Sequence, residues 1–579
     1  IPTDYSVSSP SIASLAPLAG LTSLTSLRLQ DTGLTNTSLA TLPLLPNLRS
    51  LDVRYNALSV VPSAIANLPR LASLQIHGNP LLSDNPRSGL AALKGKLIDV
   101  DVAPDRPEIA SDIPDLAARL YHLPLKMLEY VTNTIEFQPY SGAMKGPLAT
   151  LQTKAGNSWD TNSLLAGLYA AAGISTRYVA GAVEVSESQL KDFVGTRDTL
   201  AAAKVLGAAG LQYDQFANRF KHTWLEALLV QPSSGSQSWL SVDGSWKLKD
   251  YRPGLAGILS SVPFSPLETD YLTNPVWQKK STAEYYEAKV GNWLAQNRPD
   301  LTTADVAYDG PILQQSFKSL PALPYAVVNQ PLVADRPGGI PTSANYTVNI
   351  KLANGSTALF GAGGVNLTLA DVALSRLTID PQFSATGTAL PVLRRNGVVI
   401  ASAPAAIANA ANTSLALTFT VTAPAGGLSY SRSFTRAANR YIAIGLDANQ
   451  FSEALLAVKR DSVNVQQLNQ ANGSPVDRDA AVGGLLDLAI AQYFTAANAD
   501  EDSLAGLTSA VADRTIVALG IATSAPSLSN TATAGLQFPY LPLDMGLDVP
   551  ANVNGSFAID ASNTGIDLNR NLLLGYTNS

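Results

Sequence analysis

The chain has 579 residues, 46% of them hydrophobic and only 15% charged, with a net charge of −6. That balance can fill several packed cores but lacks the concentrated basic face that nucleic-acid binding needs. Cysteine is absent, which excludes disulfides, thiolate metal sites and a cysteine nucleophile; the three histidines, His77, His122 and His222, are too scattered in sequence to suggest a metal centre, and no apolar run reaches the ~20 residues of a membrane span.

Internal repeats come first. The pattern L-x-x-L-x-L-x-x-N/T-x-L occurs at Leu24-Leu27-Leu29-Thr32-Leu34, at Leu48-Leu51-Val53-Asn56-Leu58 and at Leu71-Leu74-Ile76-Asn79-Leu81, with spacings of 24 and 23 residues. Each unit predicts a short strand with its leucines inside and an Asn that hydrogen-bonds backbone at the following turn. This is the leucine-rich repeat pattern, and residues 1–103 are expected to form a short solenoid of that kind. One repeat cannot bury its own leucines, so Leu15–Leu21 and Leu93–Val102 are expected as caps. Arg28, Gln30, Asp52, Arg54, Gln75 and His77 fall on the outward positions. Arg28, Asp52, Arg54 and His77 are the candidate ligand-binding strip, and a merely solvated face is the plainer reading; His77 reads as an exposed strand residue rather than a catalyst.

Residues 104–120, with Pro104, Pro107 and Pro114, read as a linker, and 121–255 as a mixed α/β segment. A helical or irregular connector is expected over 256–338, with a helix at 281–296. From 339 to 460 the pattern alternates, as in Tyr346–Leu352 and Leu415–Val421, and predicts an antiparallel β domain. Residues 461–535 read as helical, with amphipathic runs Asp479–Thr495 and Asp502–Ala518, and 536–579 as a β or irregular tail. Asp500-Glu501-Asp502 and Asp567–Asn571 space oxygen ligands as calcium loops do, but a helix start or a turn explains each more simply, and no metal or cofactor is expected. The start at Ile1 and the apolar run Leu572–Leu574 are read as marks of a removed signal peptide and of a piece cut from a longer protein.

The densest chemistry lies between Tyr130 and Pro253. Leu164, Leu165, Leu168 and Ala172 recur at helical spacing, Asn157 suits the N-cap with Asp160 three residues on in a capping-box-like arrangement, and Gly173 suits the C-terminal stop. Ser158 therefore opens a helix, its hydroxyl at the positive end of the dipole. Thr176–Val185 reads as a buried strand, followed by a helical insert over 188–220 and a second strand, Lys221–Val230. Trp239–Asp243 is a third strand ending in a carboxylate.

This ordered set, Gly156 to Asp160, Gly173 to Val179, His222 to Glu226 and Trp239 to Asp243, resembles the transglutaminase-like superfamily, relatives of papain-fold enzymes. The resemblance implies an α+β fold in which the residue at Ser158 is the nucleophile, ordinarily a cysteine, with His222 as base and Asp243 orienting it. Ser175 stands where proline is common. The run Tyr130–Tyr140 followed by Gly146-Pro147-Leu148 resembles a bacterial subgroup of large exported, Rhs-like multidomain proteins whose members commonly lack the cysteine, which implies a natural loss; an engineered serine is the other route to the same residue.

A hydroxyl is a far weaker acid than a thiol. A helix dipole supplies about 0.3–1 kcal/mol, up to ~2 when partly buried, which is about one pKa unit and far short of ionising serine. Two readings follow for Ser158-His222-Asp243: a relic hydrogen-bond network, or a serine acyl-transfer or peptidase site with concerted proton removal. Trp159 and Trp224 fit a cleft lining or aromatic core. The expected whole is a multidomain, non-enzymatic structural or adhesive protein, secreted or at the cell surface. Its expected partners are a protein or glycan surface or copies of itself, and neither nucleic acid nor a membrane span is expected. An acyl-transferase and a repeat-based receptor are the rivals.

Overall fold

The computed structural model describes residues 11–507 apart from short breaks, most frequent between 251 and 281, and beyond them the strands at 518–524, 546–549 and 557–560. In the repeat region each leucine pair lays down one short strand. β1 (Ser26–Arg28), β2 (Ser50–Asp52), β3 (Ser73–Gln75) and β4 (Asp99–Val100) form a parallel sheet in that order, with Leu27, Leu51 and Leu74 in register. β4 comes from the expected C-terminal cap, and Leu15 of the N-terminal cap is buried. Asn56 and Asn79 do what their spacing predicts. Asn56 Nδ2 donates to the carbonyls of Leu29 (2.8 Å) and Val53 (2.9 Å) while its Oδ1 accepts from the Thr32 and Leu34 amides; Asn79 repeats the pattern one unit on, with Val53, Ile76 and Leu58. Backbone groups at buried turns are thereby satisfied without a longer strand.

The proline-rich stretch read as a linker contains a helix, α1 (Ile113–Arg119), capped by Asp112 and carrying Pro114 in its first turn, where a missing N–H costs little. Its Leu116 and Ala117 are buried in the same core as Leu164, Leu165 and Leu168. Then follow α2 (Pro124–Thr134), α3 (Gly146–Thr153) and α4 (Ser158–Ala171), with Gly173 in the left-handed stop at φ +79°. β5 (Thr176–Glu184), α5 (Glu187–Val194), α6 (Thr199–Ala208), β6 (Arg219–Val230) and β7 (Gln237–Val242) match the expected strand, helical insert, strand and strand.

The expected connector holds the helix α7 (Thr282–Asn297), but it also contains β8 (Ala326–Ala334), which pairs antiparallel with β5 and completes the sheet in the order β7-β6-β5-β8. Nothing in local sequence announces that pairing, because the partner strand lies far back in the chain.

The β-rich region is built as two packed sheets. β9 (Thr347–Asn354) pairs with β10 (Val365–Thr368) and with β14 (Ser414–Thr422), which pairs in turn with β15 (Ser429–Ala437). The other sheet, built from β11 (Leu377–Asp380), β12 (Val392–Arg395), β13 (Val398–Ser402), β16 (Tyr441–Asp447), β17 (Ala518–Ser524), β18 (Gly546–Val549) and β19 (Phe557–Asp560), has the order β13-β12-β11-β16-β17-β18-β19. Val348, Ile350, Leu417 and Phe419 pack with Ile379, Leu393, Ile442 and Ile444 in one core, which also takes in Tyr140 and Met144 of the central region. The other face of β16, Tyr441 and Ala443, packs on the helices α8 (Glu453–Ala471) and α9 (Gly484–Leu507).

Helix α8 begins inside the stretch expected to be strand. Of the run Asp502–Ala518, residues to Leu507 continue α9 and Ala518 opens β17. Asp500–Asp502 lies within α9, so it is no loop, and no cluster of three or more potential metal ligands occurs among the described residues; Asp567–Asn571 lies outside them.

Candidate functional site

Helix α4 starts where the sequence places it. Asn157 Oδ1 accepts from the Asp160 amide (3.0 Å), and its Nδ2 donates to the carbonyls of Tyr140 and Gly142. The Asp160 carboxylate does not close a capping box. It accepts instead from the amides of Met144 (2.9 Å), Lys145 (3.1 Å) and Gly146 (2.8 Å) and from the Tyr140 hydroxyl (2.7 Å). Ser158 is thereby fixed as the first helical residue, and it is buried.

His222 lies on β6, paired with Gly181 of β5. Strand alternation puts it with Phe220 and Trp224, on the face opposite Leu225, Ala227 and Leu229, which pack with α4. Its Nε2 meets Asp243 Oδ2 at 2.8 Å, and the two side chains are 1% and 2% exposed. Phe193 of α5, Phe220, Trp246 and Tyr325 surround the ring edge-to-face, at centroid distances of 5.0 to 5.7 Å. Trp224 is core, while Trp159 is part-buried beside Tyr178.

Asp243 is saturated. Besides His222 it accepts from the Tyr325 hydroxyl (2.9 Å), Asn162 Nδ2 (3.1 Å), the Ser245 amide (2.8 Å) and the Ser245 hydroxyl (2.6 Å). Burial pushes its carboxyl up, but the His222 charge and the hydrogen bonds from His222 and Ser245 outweigh it and hold the group at about 2. Burial also raises the Tyr325 phenol well above its usual range, with the Asp243 charge adding to it. Below this pair, Lys247 Nζ donates to the carbonyls of Val131 (2.8 Å), Thr132 (3.0 Å) and Gly244 (2.8 Å), closing the end of α2. Burial pulls that amine down to about 7.

His222 and Asp243 are thus brought together, and Ser158 stands at the head of the neighbouring helix; among the described residues no hydrogen bond joins its hydroxyl to His222. Asn162, Ser245, Tyr325 and Phe193 were not foreseen. Asn162 had a signal, since it lies one helical turn beyond Ser158; Tyr325 had none.

The outward strip of the repeats is also cross-linked. Arg54 grips Asp52 through Nε (2.9 Å) and Nη2 (2.7 Å), Arg28 lies 3.5 Å from the same carboxylate, and Gln30 accepts from both arginines. Asp52 is buried beneath them rather than outward. His77, expected as an exposed strand residue, lies in the turn after β3 (Ser73–Gln75) and is half-exposed, bonded on one side to Asp101 and on the other to Tyr55.

Two family models match the chain. The leucine rich repeat model matches residues 22–81, and the transglutaminase-like superfamily model matches residues 110–244. The chain therefore contains leucine-rich repeats followed by a transglutaminase-like domain and a β-rich region with helices. The second match takes in α1 and ends one residue after Asp243. No curated protein matches the chain.

Proposed function

We propose that the transglutaminase-like domain is degenerate and that the chain is a non-enzymatic structural or adhesive component of a bacterial, Rhs-like surface or filament protein, secreted or held at the cell surface. The short repeat solenoid and the β-rich region then serve contact with a protein or glycan surface, or with further copies. The observation that carries this reading is the state of the imidazole. It is enclosed by four aromatic rings and held by a carboxylate whose own capacity is spent on the protein. A base must reach the proton it removes and must meet substrate. A serine hydroxyl, which the helix dipole cannot ionise, depends on that base altogether.

Incubation of the full chain with amine donors and glutamine peptides should give no turnover. Turnover that disappears in Ser158→Ala would overturn the reading. One observation favours the rival acyl-transfer site: Nε2 of His222 is engaged by Asp243, which leaves Nδ1 as the nitrogen a nucleophile would use. On that view a fluorophosphonate probe labels Ser158, and His222→Ala abolishes the label.

A further inference from the structure

A second imidazole–carboxylate pair lies on the repeats, and it has what the first lacks. His77 Nδ1 meets Asp101 Oδ2 at 2.7 Å, and His77 Nε2 meets the Tyr55 hydroxyl at 2.9 Å. The carboxylate is itself positioned, because its other oxygen accepts from the Ile76 amide. With Nδ1–H donating to the carboxylate, Nε2 presents its lone pair to the phenol, a tautomer set by the network. A hydroxyl bonded to a base that a third group orients is the geometric signature of an activated nucleophile. The set is open to solvent: Tyr55 is 51% exposed, and the His77 and Asp101 side chains are 40% and 28% exposed.

A separate observation shows that the tyrosine is held there against local preference. Asp31, Tyr55 and Gly78 occupy the same place in successive repeats, and all three backbones are left-handed, with φ of 51°, 53° and 75°. That conformation is uncommon for a bulky residue. A Cβ on Gly78 would fall 2.4 Å from Tyr55 Cδ1, so the glycine of one repeat vacates the space that the ring of the preceding repeat fills. The left-handed turn is common to the three repeats; what is particular to Tyr55 is the seat of its ring against Gly78. The Arg54 guanidinium is pinned by Asp52 and sits within electrostatic reach of Tyr55 and Asp101.

We infer that Tyr55-His77-Asp101 is a base-assisted tyrosine nucleophile that accepts an acyl group from an activated ester. Tyr55 Oη attacks the carbonyl carbon; the Oη–C bond forms as the bond to the leaving oxygen breaks. The phenolic proton passes to His77 Nε2 and from there to the departing alcohol. The products are an aryl ester on Tyr55 and one equivalent of alcohol. Asp101 is a positioning residue. Such a site gives the chain a covalent attachment point, with no part played by Ser158, His222 or Asp243.

The test uses the full chain and p-nitrophenyl acetate, followed by peptide mapping. Tyr55 should gain an acetyl group at least tenfold faster than any of the other tyrosines among the 20 in the chain, with one equivalent of p-nitrophenolate released. His77→Gln should slow that labelling at least tenfold and make it first order in hydroxide, a change that a merely structural histidine would not produce. Gly78→Ala, outside the relay, should displace the ring and slow labelling as well. Labelling of Tyr55 at the rate of other exposed tyrosines, or labelling indifferent to His77→Gln, would overturn the inference. Should His77→Gln fail to fold, the within-molecule comparison of Tyr55 with the other tyrosines still decides.

Discussion

Two histidine–aspartate pairs of nearly equal length, 2.8 Å at His222–Asp243 and 2.7 Å at His77–Asp101, sit in opposite surroundings. The first is buried among Phe193, Phe220, Trp246 and Tyr325, and every further bond of its carboxylate goes to the protein. The second is half in water, and the far nitrogen of its imidazole meets the Tyr55 hydroxyl. The pair alone decides nothing. Burial converts it into a structural lock whose loss strands a charge, whereas exposure leaves it worth little to stability and free to do chemistry.

The hardest test of that contrast is Asp243→Ala. It leaves His222, the Tyr325 hydroxyl, Asn162 and Ser245 without their common acceptor in a water-poor site. Urea unfolding followed by the fluorescence of Trp224 and Trp246 should show a loss of about 3–5 kcal/mol, the range for breaking a buried charge pair. A loss below about 1 kcal/mol would mean that water reaches the pair. Asn56→Ala is the matching control in the repeats. It removes the bonds to Leu29, Val53, Thr32 and Leu34 at once, and should cost about 2–4 kcal/mol at the typical penalty for unsatisfied buried groups. If it does, small effects elsewhere on the repeats cannot be laid to a region insensitive to mutation.

Acid sharpens the comparison further. Asp243 is held at about 2, below its ordinary 3.8. Its contribution is therefore complete above the unfolded value and is lost as pH falls through about 2, an effect on the order of 2–3 kcal/mol. Asp447 at the end of β16 has the opposite sign, because burial raises its carboxyl to about 6. The folded state then binds the extra proton between 3.8 and about 6, and the associated stability is present below that window and lost as pH rises through it. Stability should climb from pH 2 to 4 and then flatten or fall toward 6. Asp447→Asn should remove the second limb, and Asp243→Asn the first. A first limb unchanged in Asp243→Asn would show that other carboxylates carry the acid transition.

Much of this was legible in the sequence where chemistry is local. The leucine period fixed three strands, and the fourth fell inside the expected cap. Asn56 and Asn79 bond as their spacing requires, and the order helix, strand, insert, strand, strand around Ser158, His222 and Asp243 followed from capping residues and alternation. What stayed hidden was chemistry closed over distance. Tyr325 reaches Asp243 from 82 residues away, through a strand whose pairing no local pattern reveals. Pro114 read as linker because proline marks a helix start as well as a break. Asp160 read as half of a capping box, yet its carboxylate serves a backbone nest at 144–146 that only the folded loop creates. Tyr55 drew no notice, because an exposed aromatic after a repeat strand is ordinary until its left-handed backbone and its bond to His77 are seen together.

The smallest effect on stability is the most telling. Asp101→Asn keeps an oxygen for the Ile76 amide and removes only the charge opposite His77, so the melt should shift by no more than about 1 kcal/mol, as for other part-exposed pairs. The amide can present its NH2 to Nδ1, which turns the imidazole to the tautomer that donates at Nε2 and can no longer take the Tyr55 proton. Acylation of Tyr55 should therefore drop at least tenfold while the fold is untouched, and Asp101→Glu should recover part of the rate. At the buried pair the same Asp→Asn change should do the reverse, costing stability and leaving Tyr55 acylation as it was. If Asp101→Asn instead lowers stability and labelling together, the two pairs differ in degree only, and the exposed one is a second structural lock.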